Sequence, residues 1–396
     1  MILSLFPFLV VIAFFLMLKE KRDALLPFLF VLFYIALFFF ITASTHPKSA
    51  IPGSYIGESL GLKGRVLVHG LFFSILVLLV FKERGGNLIE WKTFLSFALI
   101  PLFMGISTIY AGNYDELYRA ILLVVYYINI FLVLRFSDYQ KELIINSYIL
   151  LALCLGVVSI LTIMIYGNYP DWTNRLGRPW NARVLSAALT IAIIFCSGKS
   201  KIGTLILFCM ILATGSRLSI AFGLLALARG FYEYRNIIII CLIFISPILG
   251  YFIVDEIRNF SVDIFDRSDI TSGRLTSWLK AIEMLPDVWV WGVGERFEID
   301  LGGGEMIRLH NAIFESLISY GIFYMVALAT TYIFVFRSQV HAWQKFLVLY
   351  IFAELLFGTL TWTNLGDPIS LVGLVVLLPS VDKNYIMLNK VNLAKS

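Results

Sequence analysis

The sequence predicts an all-α fold, a polytopic transmembrane helical bundle of about 12–13 spans, on three observations. Of its 396 residues, 60% are hydrophobic and 14% charged, whereas a soluble domain is nearer half apolar and a quarter charged. Too little polar surface remains to coat a water-soluble globule. Apolar runs long enough to cross about 30 Å of hydrocarbon recur along the chain. These runs lack two-residue alternation, so their backbone groups must be paired inside helices rather than around a barrel.

The elements follow in order. Residues 1–18 have no basic stretch ahead of the apolar run and no small-residue cleavage site behind it, so they read as a span and not as a signal peptide. Further spans are expected at 24–43, 66–81, 93–110, 120–136, 143–166 and 184–197. The stretch 202–229 has two readings: short helices at 202–214 and 218–229 meeting at Gly215-Ser216-Arg217, or one long broken helix. The first leaves Arg217 at a membrane surface; the second buries it in the bilayer, which is costly unless it is paired. The remaining spans are 237–254, 313–336, 346–362 and a short one at 368–380. The whole chain, 1–396, reads as a single integral membrane domain. Cys154, Cys196, Cys209 and Cys241 all lie in apolar runs without metal-ligand spacing and read as inert buried thiols. The net charge of +5 calls for no nucleic acid.

Orientation follows from the basic residues of the short loops. Alternate loops hold Lys19 to Arg22, Lys82 to Lys92, Arg135 and Lys141, Lys199 and Lys201, Arg229 and Arg235, and Arg337 and Lys345, and the tail adds Lys383, Lys390 and Lys395. That side reads as cytoplasmic. The opposite side carries one long loop, 255–312, expected to be partly helical. Ser272 is a helix start signal and apolar residues at helical spacing follow it, with Pro286 as the stop. Trp289, Trp291 and the Gly292-Val-Gly294 step suit a membrane interface. Gly302-Gly-Gly304 reads as a flexible break before His310.

The outward arginines carry the chemistry. A guanidinium stays charged and grips two oxygens at once, which suits phosphate; Arg178, Arg183, Arg217 and Arg274 are the candidates. Arg258, Arg267 and Arg296 sit beside acidic residues and read as loop ion pairs, and arginines at a membrane surface can equally serve lipid head groups. Arg274 would stand on the first turn of the loop helix, where free N–H groups favour an anion. No Asp-x-Asp pair or His/carboxylate cluster suggests a metal, and the adjacent Asp115 and Glu116 would diverge in a helix. His310, in Arg308-Leu-His-Asn-Ala-Ile-Phe-Glu315, has the pKa to accept a proton near neutrality, although a lone interfacial histidine can equally be structural. Glu354 is the one acid clearly placed inside a span.

These residues resemble a family. Thr214-Gly-Ser-Arg-Leu-Ser219, Ser272-Gly-Arg274 with Trp278 four residues on, Trp291-Gly-Val-Gly294, and His310-Asn311 followed by Gly321 look like the O-antigen ligase and O-antigen polymerase superfamily. Gly177-Arg-Pro-Trp-Asn181 fits a further Arg/Asn element. The resemblance covers about 170–325, in the family's order. It implies an inverting, metal-independent glycosyltransferase with no cofactor. Such an enzyme takes a glycan from undecaprenyl diphosphate on the periplasmic face of the inner membrane. The acceptor is either another lipid-linked glycan, as for a polymerase working with a chain-length regulator, or lipid A–core, as for a ligase. Carried over, His310 would be catalytic, Arg217 and Arg274 would bind the diphosphate with Arg178 and Arg183 beside them, and Asn181 and Asn311 would support the site. The moderate loops at 44–65 and 255–312 tilt the reading slightly towards a polymerase. A lipid-linked-glycan flippase is the rival from another class, but it predicts internal symmetry that the sequence does not show.

Overall fold

The computed structural model describes residues 32, 91–133, 138–166, 182–231, 274–294, 299–300, 306–307, 311–339 and 341–357. Within them run α1 (Trp91–Tyr110), a single 3-10 turn (Tyr114–Glu116), α2 (Leu117–Val133), α3 (Asp138–Tyr166) and α4 (Ala182–Cys196). Then follow α5 (Lys201–Thr214), α6 (Arg217–Gly230), α7 (Arg274–Val288), β1 (Ile299–Asp300), β2 (Met306–Ile307), α8 (Ala312–Ser338) and α9 (Ala342–Phe357). A helix forms at each span expected inside these residues, those at 120–136 and 346–362 being described as far as 133 and 357. The ambiguous stretch 202–229 resolves into two 14-residue helices, about 21 Å each at 1.5 Å per residue. Glu142–Ile165 and Ile313–Arg337 are long and apolar enough to cross a membrane. The spans expected at 1–18, 66–81, 237–254 and 368–380, and all of 24–43 except Leu32, lie outside the described residues.

The packing centres on α4, buried at every residue from Leu185 to Cys196. A helix apolar all round belongs in an interior. Its Ala187, Ala188 and Ala192 are small enough to let neighbouring backbones close in, the usual device of helix packing in lipid. Thr190 keeps its hydroxyl satisfied on the Ser186 carbonyl at 2.7 Å. α4 packs against α3, α5, α6 and α9; α1 packs against α2 and α8; and α9 also contacts α8 and α6.

Several contacts fix which ends meet. Lys199, just past α4, reaches Asn146 near the start of α3 at 2.8 Å. Phe195 at the end of α4 meets Trp343 at the start of α9, ring centroids 6.0 Å apart. Thr331 of α8 donates to the Ser96 carbonyl near the start of α1 at 2.9 Å, while Ser107 near the end of α1 donates to the Ser319 carbonyl at 3.3 Å. The chain reverses at 197–200 and 215–216, and between the end of α8 at Ser338 and the start of α9 at Ala342. Hence α2, α4, α6 and α8 all begin at one end of the bundle, and α3, α5 and α9 begin at the other.

The long loop is bolted into the bundle at the first of these ends. α8 is broken at Gly321, whose φ of 77° and ψ of −176° are not helical. At the break the Ile322 N–H leaves the helix ladder, and the Ile318 and Ser319 carbonyls take partners from outside α8. The segment after α7 supplies them: the Val293 and Gly294 N–H groups donate to Ile318 and Ser319, both at 2.8 Å, and the Ile322 N–H turns to the Trp289 carbonyl at 2.8 Å. From α1, Ser107 donates its hydroxyl to the Trp291 carbonyl. Beyond the end of α1, Asn113 donates its side-chain N–H to the Val293 carbonyl at 2.8 Å.

One expectation about this loop is corrected. Pro286 lies inside α7 and does not end it. Proline's fixed φ suits a helix and forfeits one bond, while Trp289 N–H to the Leu285 carbonyl at 2.9 Å carries the next turn. Trp291 packs its ring against Tyr110 (5.5 Å) and Phe323 (5.1 Å). The loop also carries a small antiparallel ladder, Ile299 with Ile307 and Asp300 with Met306. The Gly302-Gly-Gly304 break falls between the two strands, outside the described residues.

Candidate active site

Those of the residues singled out in the sequence that are described fall at helix starts. Arg217 is the first residue of α6, Arg274 the first of α7, Arg183 the second of α4, and Asn311 is the N-cap of α8, next in sequence to His310. The backbone of Arg183, Arg217 and Arg274 is described and their side chains are not. Arg178, Asn181 and His310 lie outside the described residues.

At the start of α6, Gly215 closes α5 in the left-handed conformation at φ 64°, which favours glycine. Thr214 turns its hydroxyl back to the Ile211 carbonyl at 2.7 Å. Ser216 occupies the cap position with extended backbone, yet its side chain caps nothing. Its hydroxyl donates instead to the Ser219 hydroxyl at 3.1 Å. A helix whose cap side chain is turned away keeps its first N–H groups free for another acceptor, and the helix dipole adds partial positive charge there.

The start of α8 is built the opposite way. Asn311 is buried, and its carbonyl oxygen accepts from the Ile313 and Phe314 N–H groups at 3.0 and 3.2 Å. The expected supporting asparagine is thus a helix cap, which fixes the chain next to His310. α7 lies along the first half of α8 and runs the same way: Trp278 meets Phe314 with ring centroids 6.3 Å apart, Ala281 packs with Ile318, and Trp289 meets Ile322. About one turn back from the Trp278–Phe314 pair, the two helices begin, at Arg274 and at Asn311. The register therefore sets two of the sequence-predicted elements side by side, and the topology sets α4 and α6 at the same end.

Sequence reasoning missed Ser107 and Asn113. They bond to residues 184 and 180 positions away, and nothing local marks a serine or asparagine for that task. A cavity of about 420 Å³ between α1 and α2, lined by Pro101, Leu102, Ala120, Ile121, Val124 and Tyr127 among others, offers almost no polar group to an anion. Among the described residues, no three His, Cys, Asp or Glu side chains gather as a metal site requires.

No curated protein and no solved structure matches the chain. A family model described as O-Antigen ligase matches residues 202–329, from α5 through α6 and α7 and past the break in α8. That stretch contains the Gly-Ser-Arg step, the Ser-Gly-Arg helix start, the glycine crossing and the His-Asn cap, and its match supports the resemblance to the O-antigen ligase/polymerase superfamily.

Proposed function

We propose that the protein is an inverting glycosyltransferase of the bacterial inner membrane. It takes a glycan from undecaprenyl diphosphate and joins it to an acceptor hydroxyl on the periplasmic face. The carrying observation is the gathering of helix starts at one end of the bundle, with arginines as the opening residues of α6 and α7. Fixed guanidiniums and free helix N–H groups would hold the diphosphate without a metal, and would stabilise the charge that grows as it departs. The acceptor oxygen attacks the sugar carbon opposite the diphosphate. A new carbon–oxygen bond forms, the old one breaks with its electron pair leaving on the diphosphate, and His310 takes the acceptor proton. Arg217 and Arg274 carry the leaving group, with Arg178 and Arg183 nearby.

The acceptor we favour is a second lipid-linked glycan, which makes the enzyme a polymerase, with a chain-length regulator as partner. The ligase reading, with lipid A–core as acceptor, uses the same donor and the same residues. Purified protein given a lipid-linked donor and acceptor in excess chelator should extend the glycan with inversion. Turnover that needs an added divalent ion would refute the arginine mechanism. Deleting the gene separates the acceptors and the flippase rival. Single-repeat chains on the core mean polymerase. Core without chains, with lipid-linked polymer accumulating, means ligase. Precursor trapped in the cytoplasm would mean a flippase and sink the proposal.

A further inference from the structure

The turn between α1 and α2 stands at the end where the helix starts collect, and its side chains have no part in the diphosphate chemistry. It is held rigidly. The Ala111 N–H returns to the Ser107 carbonyl at 3.0 Å and the Asn113 N–H to the Thr108 carbonyl at 3.1 Å. The Asn113 side chain is tied to the Val293 carbonyl at 2.8 Å, and the Glu116 N–H closes on the Asn113 carbonyl at 3.0 Å. The turn is therefore part of the crossing that joins α7 to α8.

Two kinds of side chain stand on this frame. Tyr110 is 69% and Tyr114 67% exposed; Tyr110 is fixed against Trp291 and still presents most of its ring. Beside them Glu116 holds Arg119 Nε in an ion pair, with the two side chains 25% and 23% exposed. The same Nε reaches the Tyr118 hydroxyl at 3.3 Å, and the guanidinium lies 5.9 Å from the Tyr118 ring centroid. Among the described residues, the two terminal nitrogens of Arg119 and the Glu116 Oε1 make no hydrogen bond. A largely buried guanidinium is thus pinned by one nitrogen while its fork is left to water or a ligand.

Charge selects among ligands. Asp115 and Glu116 against Arg119 give residues 110–119 a formal charge of −1, which disfavours a diphosphate or an anionic head group. A membrane interface accounts for tyrosine rings and leaves the open donors and acceptor of the ion pair unexplained. A sugar ring meets both. Its face of axial C–H bonds lies on the negative face of an aromatic ring, and its neighbouring hydroxyls accept from a guanidinium and donate to a carboxylate. Ser107 bonds to the Ser319 carbonyl, eight residues along α8 from Asn311, or about 12 Å. That is further from the His310 step than a single sugar ring reaches.

We propose that the α1–α2 turn is a saccharide-binding subsite, with Tyr110 and Tyr114 as the platform and the Glu116–Arg119 pair reading hydroxyls. It takes an uncharged sugar of the glycan away from the bond being made. That this glycan is lipid-linked rests on the function proposed above.

The test compares Tyr114→Ala, Tyr114→Leu, Tyr114→Phe and Arg119→Lys with the wild type in nanodiscs. Three quantities are measured: saturation transfer by NMR to the free repeat oligosaccharide of the strain's own surface polysaccharide, binding of sugar-free undecaprenyl diphosphate, and KM and kcat for the lipid-linked glycan. Tyr114→Ala should lose most of the saturation transfer and raise KM about tenfold, with kcat within about threefold. Arg119→Lys keeps the ion pair and loses the fork, and should do the same. Tyr114→Phe keeps the ring and should stay within about twofold of wild type. Leucine keeps apolar bulk without a ring face, so Tyr114→Leu should follow alanine; if it follows phenylalanine, the tyrosine is a lipid anchor and the proposal falls. Sugar-free diphosphate should bind all variants like the wild type, and its loss in Tyr114→Ala or Arg119→Lys would overturn the subsite. Unchanged KM in Tyr114→Ala, or an active wild type that shows no saturation transfer, would do so too. A wild type that transfers no glycan and yet binds the oligosaccharide through Tyr114 would overturn the functional reading and leave the subsite standing.

Discussion

His310 and the arginines make different demands on the same reaction, and single substitutions separate them. Removing a general base commonly lowers rate by about 10²–10⁴, so His310→Ala should lose turnover and keep donor affinity. Arg217→Ala and Arg274→Ala should lose both, because the diphosphate is charged before and during bond breaking. Lysine should restore neither fully, since a point charge does not replace a planar fork. Arg267→Ala, assigned to a loop ion pair, should stay near wild type. Donor binding and turnover of these variants decide the assignment, and full turnover in His310→Ala would end it. Asn311 is a separate case. It binds two backbone N–H groups of α8, and losing a cap of this kind costs about 1 kcal/mol. Asn311→Ala should therefore lower thermal stability and turnover together, while Asn311→Asp, which keeps an acceptor oxygen, should recover both. Loss in alanine without recovery in aspartate would mean that the amide contacts substrate instead.

At the scale of the element, the crossing of the loop over the break in α8 makes the sharpest demand on sequence. A Cβ on Gly292 would stand 2.5 Å from the Ser319 and Tyr320 backbone, one on Gly294 2.5 Å from the Ala111 side chain, and one on Gly321 would collide with the Val290 carbonyl. Gly292, Gly294 and Gly321 also have φ between 72° and 77°, a region other residues enter at a cost. Gly105 offers the contrast: it lies within α1, and its Cβ would meet only Ala120, at 3.8 Å. Gly105→Ala should leave stability unchanged or raise it by up to about 1 kcal/mol. Gly321→Ala should unfold at clearly lower temperature in the same detergent and lose turnover as α7 and α8 part. Equal melting temperatures for the two variants would show that the crossing does not hold. The helices themselves were legible because an apolar run of given length records its own span. The crossing was not, because its partners are the ends of α1, α7 and the middle of α8, brought together only by the fold. Pro286 and the small strand pair escaped for related reasons: the first was overruled by the turn that follows it, and the second is two residues long on each side.

For the whole molecule, the two ends of the bundle differ in kind. One end collects the starts of α4, α6, α7 and α8; the other holds the turns with Lys199 and His341, and the last turn of α6 with Arg229, which lies near Gly198. The sequence assigned these sides from short-loop basic residues alone, and the alternation of helix directions agrees with that division. Which end faces the cytoplasm follows from the charge bias and decides whether lipid-linked glycan can meet the arginines outside. Single cysteines test it. Tyr114, at the turn between α1 and α2, is 67% exposed and lies at the end of the helix starts, whereas His341 is exposed at the other. Gln339, a closer neighbour of the same turn, is buried and would stay silent on either side. In a cysteine-free background, Tyr114→Cys should react with an impermeant thiol reagent in intact spheroplasts, and His341→Cys should react only after lysis. The reverse pattern would place the arginines on the cytoplasmic face. Transfer from a periplasmic donor would then be impossible at this site, whatever the individual residues do.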